Sequence, residues 1–211
     1  MGLLMIKIIV PFWQPNDQSF DFSNMYTEEW VEKLYRGVDR NLDLPFEFIC
    51  VTDREREFKE PIKQVMFKDP DNCGYWSCIE CFQWGGPAIV MGLDTVITGN
   101  ITELAKYALT PGNKMALPID PNFTNPPIAC NGITLLPPGY EEIYLTHNGE
   151  NDMEWQREFP HVFIDDVFPW KVKSYKKHVK KRGLGRCSIV YFHGKEKPHE
   201  IDEDFVRENW V

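Results

Sequence analysis

The sequence predicts an α/β fold in which helices flank a mixed, mostly parallel central sheet. One observation is a strand-length apolar run at residues 3–10, followed by a helical apolar stripe over 25–41 and a second strand-like run at 46–52. Another is the apolar run over 88–91, which leads to the lone carboxylate of Asp94. A buried strand that ends near an acid is typical of open α/β sheets, which bind ligands beyond the carboxyl ends of their strands.

The first half of the chain supplies the clearest strand and helix patterns. Residues 3–10 are apolar except for Lys7 and predict a central strand, and the polar and aromatic segment 12–24 predicts a loop. The helix over 25–41 has Thr27 as its expected N-cap. Its apolar stripe is expected to face the core and consists of Tyr26, Trp30, Val31, Leu34, Tyr35 and Val38.

Shorter patterns predict the remaining elements. Proline and asparagine are frequent in residues 118–127, which predict a loop without regular structure. Residues 140–159 are acidic and are expected to be helical in part. Strands are expected at 62–67, 88–97, 114–119, 162–167 and 187–194, and a short helix at 101–108.

Length and charge restrict the class of protein. The 211 residues fit one domain with a substantial core. A net charge of −9 argues against general nucleic-acid binding, because phosphate contacts require a basic surface. Residues 171–186 are the exception, since they contain eight Lys and Arg residues and no acid. They predict a solvated helix face, and the alternative is a face that meets a phosphorylated ligand.

The N-terminal segment and the cysteines bear on the cellular compartment. Residues 1–6 have neither a basic n-region nor a small-residue cleavage site, and no stretch approaches the ~20 apolar residues of a transmembrane helix. We therefore expect a soluble, cytoplasmic protein without a transmembrane segment. The spacing Cys73-x4-Cys78-x2-Cys81 matches that of plant-type iron–sulfur proteins. The aromatic residues around it favour buried free thiols instead.

Residues 93–101, Leu-Asp-Thr-Val-Ile-Thr-Gly-Asn-Ile, carry a more specific signal. They resemble the Asp-x-Asp strand of GT-A-fold glycosyltransferases of the glycogenin and bacterial galactosyltransferase type. Asp94 matches the second acid of that motif, whereas Gly92 stands in the place of the first. Taken alone, Asp94 is better explained as a residue that caps a turn or pairs with a nearby cation.

The resemblance extends over nearly the whole chain. It implies a single GT-A (Rossmann-like) domain over residues 1–211, with a nucleotide-binding half at about 1–100 and an acceptor-binding, closing half at about 101–211. It also implies a helix at 74–82, a strand at 130–136 and a closing helix at 170–182.

Five donor-binding residues follow from the resemblance. It implies that Phe12 stacks on the base, that Thr52 and Asp53 reach the nucleotide, that Trp76 lies in the donor-binding helix, and that Asn131 lies near the donor sugar. Each also has a structural explanation, which is packing for the aromatic residues and a turn for the polar ones.

The C-terminal region supplies the remaining site candidates. Residues 194–198 match the family pattern Gly-x-x-Lys-Pro, so the resemblance implies that Gly194 and Lys197 bind the diphosphate. His193 lies two positions beyond the expected metal-binding histidine and thus on the same strand face. Asp94 and His193 are accordingly expected to hold Mn²⁺ or Mg²⁺, although a structural hydrogen bond explains His193 as well. Asp152 matches the acid that contacts the transferred sugar and is the catalytic candidate.

Three hypotheses follow. The first is a metal-dependent glycosyltransferase that moves a sugar from a nucleoside-diphosphate donor, expected to be a UDP-sugar, to a sugar, lipid or protein acceptor. The second is an inactive GT-A domain that binds nucleotide or sugar, or serves as a structural module, because Gly92 and Cys78 replace expected charged residues. The third is a cysteine-ligated metal or redox protein built on Cys73, Cys78 and Cys81.

Overall fold

The computed structural model describes residues 5–17 and 19–211. Its strands are β1 Ile6–Phe12, β2 Phe46–Thr52, β3 Lys63–Met66, β4 Ala88–Met91, β5 Thr95–Ile97, β6 Met115–Leu117, β7 Ile119–Thr124, β8 Pro127–Ala129, β9 Ile133–Leu136, β10 His161–Phe163, β11 Val172–Ser174 and β12 Ile189–Tyr191. The α-helices are α1 Phe20–Ser23, α2 Glu28–Asn41, α3 Thr102–Leu109, α4 Glu142–Leu145, α5 Asp152–Arg157, α6 Ile164–Val167, α7 Lys180–Arg182 and α8 Asp204–Asn209. Tyr75–Phe82 and Pro198–Glu200 are 3₁₀ helices, and Tyr175–Val179 is a π-helical turn.

The central sheet has seven strands in the order β10-β6-β9-β4-β1-β2-β3. All neighbouring pairs are parallel except those made by β9, which runs antiparallel to β4 and to β6. The expected mixed, mostly parallel sheet is therefore confirmed.

The core lies on both faces of this sheet, because successive side chains of a strand point to opposite sides. Along β1, Ile8 and Val10 join the apolar cluster that contains α2 and α3, whereas Ile9 joins the cluster that contains the 3₁₀ helix Tyr75–Phe82. Helix α2 begins directly after Thr27, as expected, although the Thr27 side chain makes no capping hydrogen bond.

The expected single strand over 88–97 is wrong. The chain leaves the central sheet after β4 and forms β5 in a separate sheet of order β11-β12-β5. β5 pairs antiparallel with β12, and the backbone N–H of Phe192 donates to the carbonyl oxygen of Asp94 over 3.0 Å. Asp94 consequently lies in the connection between the two sheets, next to the C-terminal segment of the chain.

Other element expectations also need correction. Residues 118–127 are not irregular, because β7 and β8 pair as an antiparallel hairpin around Asn125 and Pro126. The expected strand at 162–167 becomes a helix after Phe163. The expected helix at 170–182 begins instead as strand β11, since Val172–Ser174 pairs with β12.

Two further expectations concern the ends of predicted segments. The loop over 12–24 contains the end of β1 and the short helix α1. Residues 3 and 4 of the first expected strand lie outside the described residues.

Within the basic segment 171–186, Lys173 is 8% exposed and pairs with Asp165, so this part of the segment is buried rather than solvated. Among the described residues, none of the helices has the length and apolarity required to cross a membrane.

Candidate active site

A cavity of about 900 Å³ opens beyond the carboxyl ends of β1 and β4. Because these strands are parallel, their ends at Phe12 and Met91 meet at one edge of the sheet. The antiparallel β9 begins at the same edge, which brings Asn131 and Gly132 into the lining. The topology thus converges on the position where open α/β sheets bind ligands.

Asp94 and Lys197 form an ion pair in this cavity. The Nζ of Lys197 donates to Oδ2 of Asp94, and their side chains are only 8% and 15% exposed. The Tyr26 hydroxyl lies 3.5 Å from the same Nζ. Burial first, and Asp94 second, raise the pKa of Tyr26 well above 10, so the phenol stays protonated.

The backbone that carries Lys197 is fixed by a short 3₁₀ turn. Pro198 begins the turn, and Oε2 of Glu200 accepts from the Lys197 backbone N–H over 2.7 Å. That hydrogen bond is the main reason why the pKa of Glu200 is lowered. The Lys-Pro pair noted in the sequence thus positions an ammonium group at the cavity wall.

His193 also lines the cavity, together with Gly194. Its Nε2 lies 2.9 Å from Oγ of Ser174, and its carbonyl oxygen accepts from Nζ of Lys176 over 3.3 Å. Burial, followed by the positive charge of Lys176, lowers the pKa of His193. The imidazole is therefore neutral near neutral pH.

Asp152 lines another part of the cavity, at the first position of α5. It is 4% exposed, and the amide nitrogen of Asn131 donates to its Oδ2. Burial raises its pKa from 3.8 to about 7 against the lowering effect of hydrogen bonds from the Met153 backbone and Asn131. A carboxyl group that titrates near neutral pH in a cavity has the acidity required of a general acid or base.

Gln156 supports the same wall one turn later in α5. It is 2% exposed, and its Oε1 accepts from Oγ1 of Thr134 over 3.1 Å. This bond ties α5 to β9. The segment that carries Asp152 is therefore held against the sheet edge from which Asn131 projects.

Aromatic side chains form a third part of the lining. The rings of Phe22 and Tyr75 stack with centroids 4.3 Å apart, and Tyr75 is 47% exposed. Phe12 also lines the cavity, but it is 3% exposed and the guanidinium of Arg56 lies 3.7 Å from the centre of its ring. The half-exposed ring of Tyr75 offers a stacking surface for a planar base or a sugar ring.

Three predicted donor-binding residues, Thr52, Asp53 and Trp76, are not among the described residues that line the cavity. Two of them bind Arg56 instead, because its guanidinium donates to Thr52 Oγ1 over 2.8 Å and to Asp53 Oδ1 over 2.6 Å. Trp76 packs its ring over Gly74. Their environment therefore supports structural roles rather than direct ligand contact.

Arg56, Tyr26 and Ser174 were missed by the sequence analysis. Tyr26 was assigned to the core stripe of α2, whereas it lies before the helix at the cavity. Ser174 gave no signal in the sequence, because its partner His193 is 19 positions away. Arg56 follows a predicted strand end and could have been noticed as a cation near Asp53.

The residues present do not fit the expected Mn²⁺ or Mg²⁺. The carboxylate of Asp94 is paired with Lys197, and Gly92 contributes no second carboxylate. The Nε2 of His193 lies within hydrogen-bonding distance of the Ser174 hydroxyl, at 2.9 Å. Within residues 5–17 and 19–211, no group of three or more His, Cys, Asp and Glu side chains is arranged to hold a metal ion.

The cysteines do not form an alternative metal site either. All six are free, and in the part of the chain that the structure describes none belongs to a group of three or more His, Cys, Asp and Glu side chains that could hold a metal ion. The thiol of Cys73 donates to the carbonyl oxygen of Pro70 over 3.5 Å. Burial raises its pKa to about 12, so it remains a protonated thiol.

Comparisons with known proteins bear on the fold. No protein-family model matches the sequence, and no curated protein matches it by sequence similarity. Among solved structures, the glycosyltransferase GlyE of Streptococcus pneumoniae TIGR4 superposes with a TM-score of 0.63 at 10% identity, covering 98% of this chain and 59% of GlyE. This chain thus spans less than two thirds of the length of GlyE.

A second similar structure is the galactosyltransferase LgtC, solved in complex with donor and acceptor sugar analogues. It superposes with a TM-score of 0.59 at 8% identity, and the match covers 92% of this chain and 89% of LgtC. The mostly parallel sheet, the strand-end cavity and these superpositions together identify the fold of this chain as that of the GT-A glycosyltransferases.

Proposed function

We propose that the protein transfers a sugar from a nucleoside-diphosphate donor, a UDP-sugar in the first instance, to a hydroxyl group of an acceptor. The observation that carries the proposal is the set of ionisable groups that line the cavity. Lys195 and Lys197 supply two ammonium groups, and Asp152 supplies a buried carboxyl group. An NDP-sugar offers a group to each, a polyanionic diphosphate to the ammonium groups and an uncharged sugar to the carboxyl group.

The diphosphate is the leaving group of such a reaction. The bond between the anomeric carbon and the phosphate oxygen breaks, that oxygen gains negative charge, and the acceptor oxygen bonds to the anomeric carbon. Ammonium groups held in a cavity stabilise the developing charge without reorganising. Lys197 is the principal candidate for this role because its position is fixed by the turn at Pro198–Glu200.

Asp152 is proposed to act at the sugar end. The acceptor hydroxyl must lose a proton, and a carboxyl group with a pKa of about 7 can accept it near neutral pH. The hydrogen bond from Asn131 orients the carboxylate, and Gln156 fixes the helix behind it. Tyr75 lines the cavity and is 47% exposed, so its ring offers a surface that the acceptor, whether sugar, lipid or protein, would contact.

The experiment is a donor screen that measures UDP release. The protein is incubated with UDP-glucose, UDP-galactose and their N-acetylated forms, with and without simple sugar acceptors, in EDTA and in Mn²⁺. Turnover of one donor, lost in the Asp152→Asn variant and kept in an Asp166→Asn control on the exposed surface, supports the proposal. If no donor releases UDP and UDP itself does not bind, the proposal is wrong.

A further inference from the structure

We infer that the ammonium group of Lys197 takes the place of a divalent cation at the donor diphosphate, so that the donor binds without a metal. This inference rests on the proposed function and specifies how that site holds its ligand. It departs from the Mn²⁺ or Mg²⁺ expected from the sequence.

The first observation is the partner of Asp94. In the sequence, Asp94 is the acid that matches a metal-binding motif, and in the structure its Oδ2 accepts from Lys197 Nζ. Both side chains line the cavity yet are at most 15% exposed. A positive charge at this depth is costly unless paired, so Asp94 stabilises the ammonium group of Lys197 in the cavity.

The second observation is the close fit of Gly92 beside Asp94. A Cβ atom added to Gly92 would lie 3.0 Å from Oδ1 of Asp94, closer than ordinary contacts. A side chain at position 92 would thus require the Asp94 carboxylate to shift by a few tenths of an ångström. Glycine lets Asp94 keep its position against Lys197 and supplies no second carboxylate for a metal ion.

The third observation is the number of hydrogen-bond donors around the segment 193–197. Lys195 lines the cavity, and Nζ of Lys176 lies 3.3 Å from the carbonyl oxygen of His193. Gly194 and Glu196 have positive φ angles of 63° and 68°. Left-handed residues in a turn direct successive backbone N–H groups into a concavity that suits anions.

These observations explain how a diphosphate can bind there. An ammonium group has three N–H donors, and Asp94 needs only part of them. Charge-assisted hydrogen bonds to phosphate oxygens are about twice as strong as neutral ones. Lys197 can therefore donate to Asp94 and to the diphosphate together, as a fixed cation bridging a carboxylate and the ligand.

The test is calorimetric titration of UDP into the full chain, in excess EDTA and in Mn²⁺. We expect equal affinity in both buffers. We expect Lys197→Met to weaken binding in EDTA by about ten- to a hundredfold, the loss typical of a hydrogen bond to a charged group. Lys63→Met is the matched control, since Lys63 pairs with Glu47 outside the cavity, and it should bind UDP as the unmodified protein does.

Asp94→Asn gives an independent result if Lys197→Met does not fold. Removing the carboxylate frees the ammonium, so UDP binding in EDTA should stay the same or tighten. A metal-ligand role for Asp94 predicts the opposite, a loss of Mn²⁺-dependent binding.

The outcomes separate this inference from the proposed function. Binding that is at least about tenfold tighter with Mn²⁺ overturns the inference and leaves the proposed function standing. Metal-independent binding that Lys197→Met does not weaken also overturns it. UDP that binds in neither buffer overturns both.

Discussion

The amide nitrogen of Asn131 donates a hydrogen bond to Oδ2 of Asp152, joining the start of β9 to the start of α5 across the cavity wall. Asn131 belongs to the loop that leads from the β7–β8 hairpin to the central sheet. The pair therefore fixes the orientation of the Asp152 carboxyl group, whose pKa is raised to about 7, relative to the edge of the sheet.

Asp152→Asn should lower the turnover number for sugar transfer by about a hundredfold or more, the usual contribution of a general base. The replacement keeps a side-chain oxygen that can accept from Asn131, so UDP binding should be unchanged. Steady-state kinetics and UDP titration measure the two effects separately. A variant that loses donor affinity but keeps its turnover number would contradict a role at the sugar.

The activity of the unmodified protein should depend on pH through Asp152. Its carboxylate form is the base, and burial raises its pKa to about 7. We therefore expect kcat/KM for the donor to rise with pH and to level off above about 7. A flat profile between about pH 5 and 8 would be inconsistent with this role. Below the pKa of about 7 the carboxyl group is mostly uncharged, and the uncharged acid cannot accept the proton.

The same group predicts a pH dependence of stability. The unfolded chain loses this proton near pH 3.8, whereas the folded chain keeps it until about pH 7. The folded state thus binds more protons between these values, and its stability decreases as the pH rises through this window. Relative to Asp152→Asn, the unmodified protein should lose at most ~4 kcal/mol of unfolding free energy by pH 8.

Urea unfolding of both proteins at several pH values checks this prediction. The difference between their free energies of unfolding should grow from acidic to neutral pH and remain constant above it. Parallel curves would mean that Asp152 titrates at its ordinary pKa in the folded state.

The predictable part of the fold comprises elements with long apolar patterns. Strand β2 has the expected bounds, and α2 ends at the expected residue, because their side chains face the core along most of their length. The hairpin of β7 and β8 was not predictable from local pattern. Its residues are mostly exposed and rich in proline, so pairing between the strands, rather than burial, determines its conformation.

The candidate site illustrates the same limit. The sequence indicated Asp94 and Lys197 separately, and the structure brings both to the cavity. Their pairing joins residues 103 positions apart and depends on β5 leaving the central sheet for β12. A motif compares residues one at a time. It therefore cannot reveal that Asp94, expected to bind a metal ion, forms an ion pair with Lys197, expected to bind the diphosphate.

Arg56 provides a stability prediction. Its guanidinium is 3% exposed, lies 2.6 Å from both Asp53 Oδ1 and Glu28 Oε1, and covers the ring of Phe12. Arg56→Met leaves the buried carboxylate of Asp53 without this partner, so we expect a loss of about 3 kcal/mol. Arg54→Met is the matched control.

Arg54 contacts the same carboxylate over 3.0 Å but is 55% exposed. Its replacement should cost less than about 1 kcal/mol, because exposed ion pairs contribute little. Urea unfolding at neutral pH compares the two variants. Equal losses would show that burial of the guanidinium does not determine its contribution.

Gly132 provides the last prediction, because it marks a close approach at the cavity. A Cβ atom at this position would lie 2.9 Å from Cδ2 of Tyr191, whose ring is 3% exposed at the end of β12. Gly132→Ala must displace that ring within a packed core, so the free energy of unfolding should fall by about 1–3 kcal/mol. Gly99→Ala is the control, since its added Cβ would meet Ser188 Oγ at an ordinary 3.5 Å. Neither Gly132 nor Gly99 has a positive φ angle, so alanine is compatible with the backbone at both positions. A loss confined to Gly132→Ala therefore isolates the steric contact with Tyr191, whereas equal losses would indicate a general cost of replacing glycine.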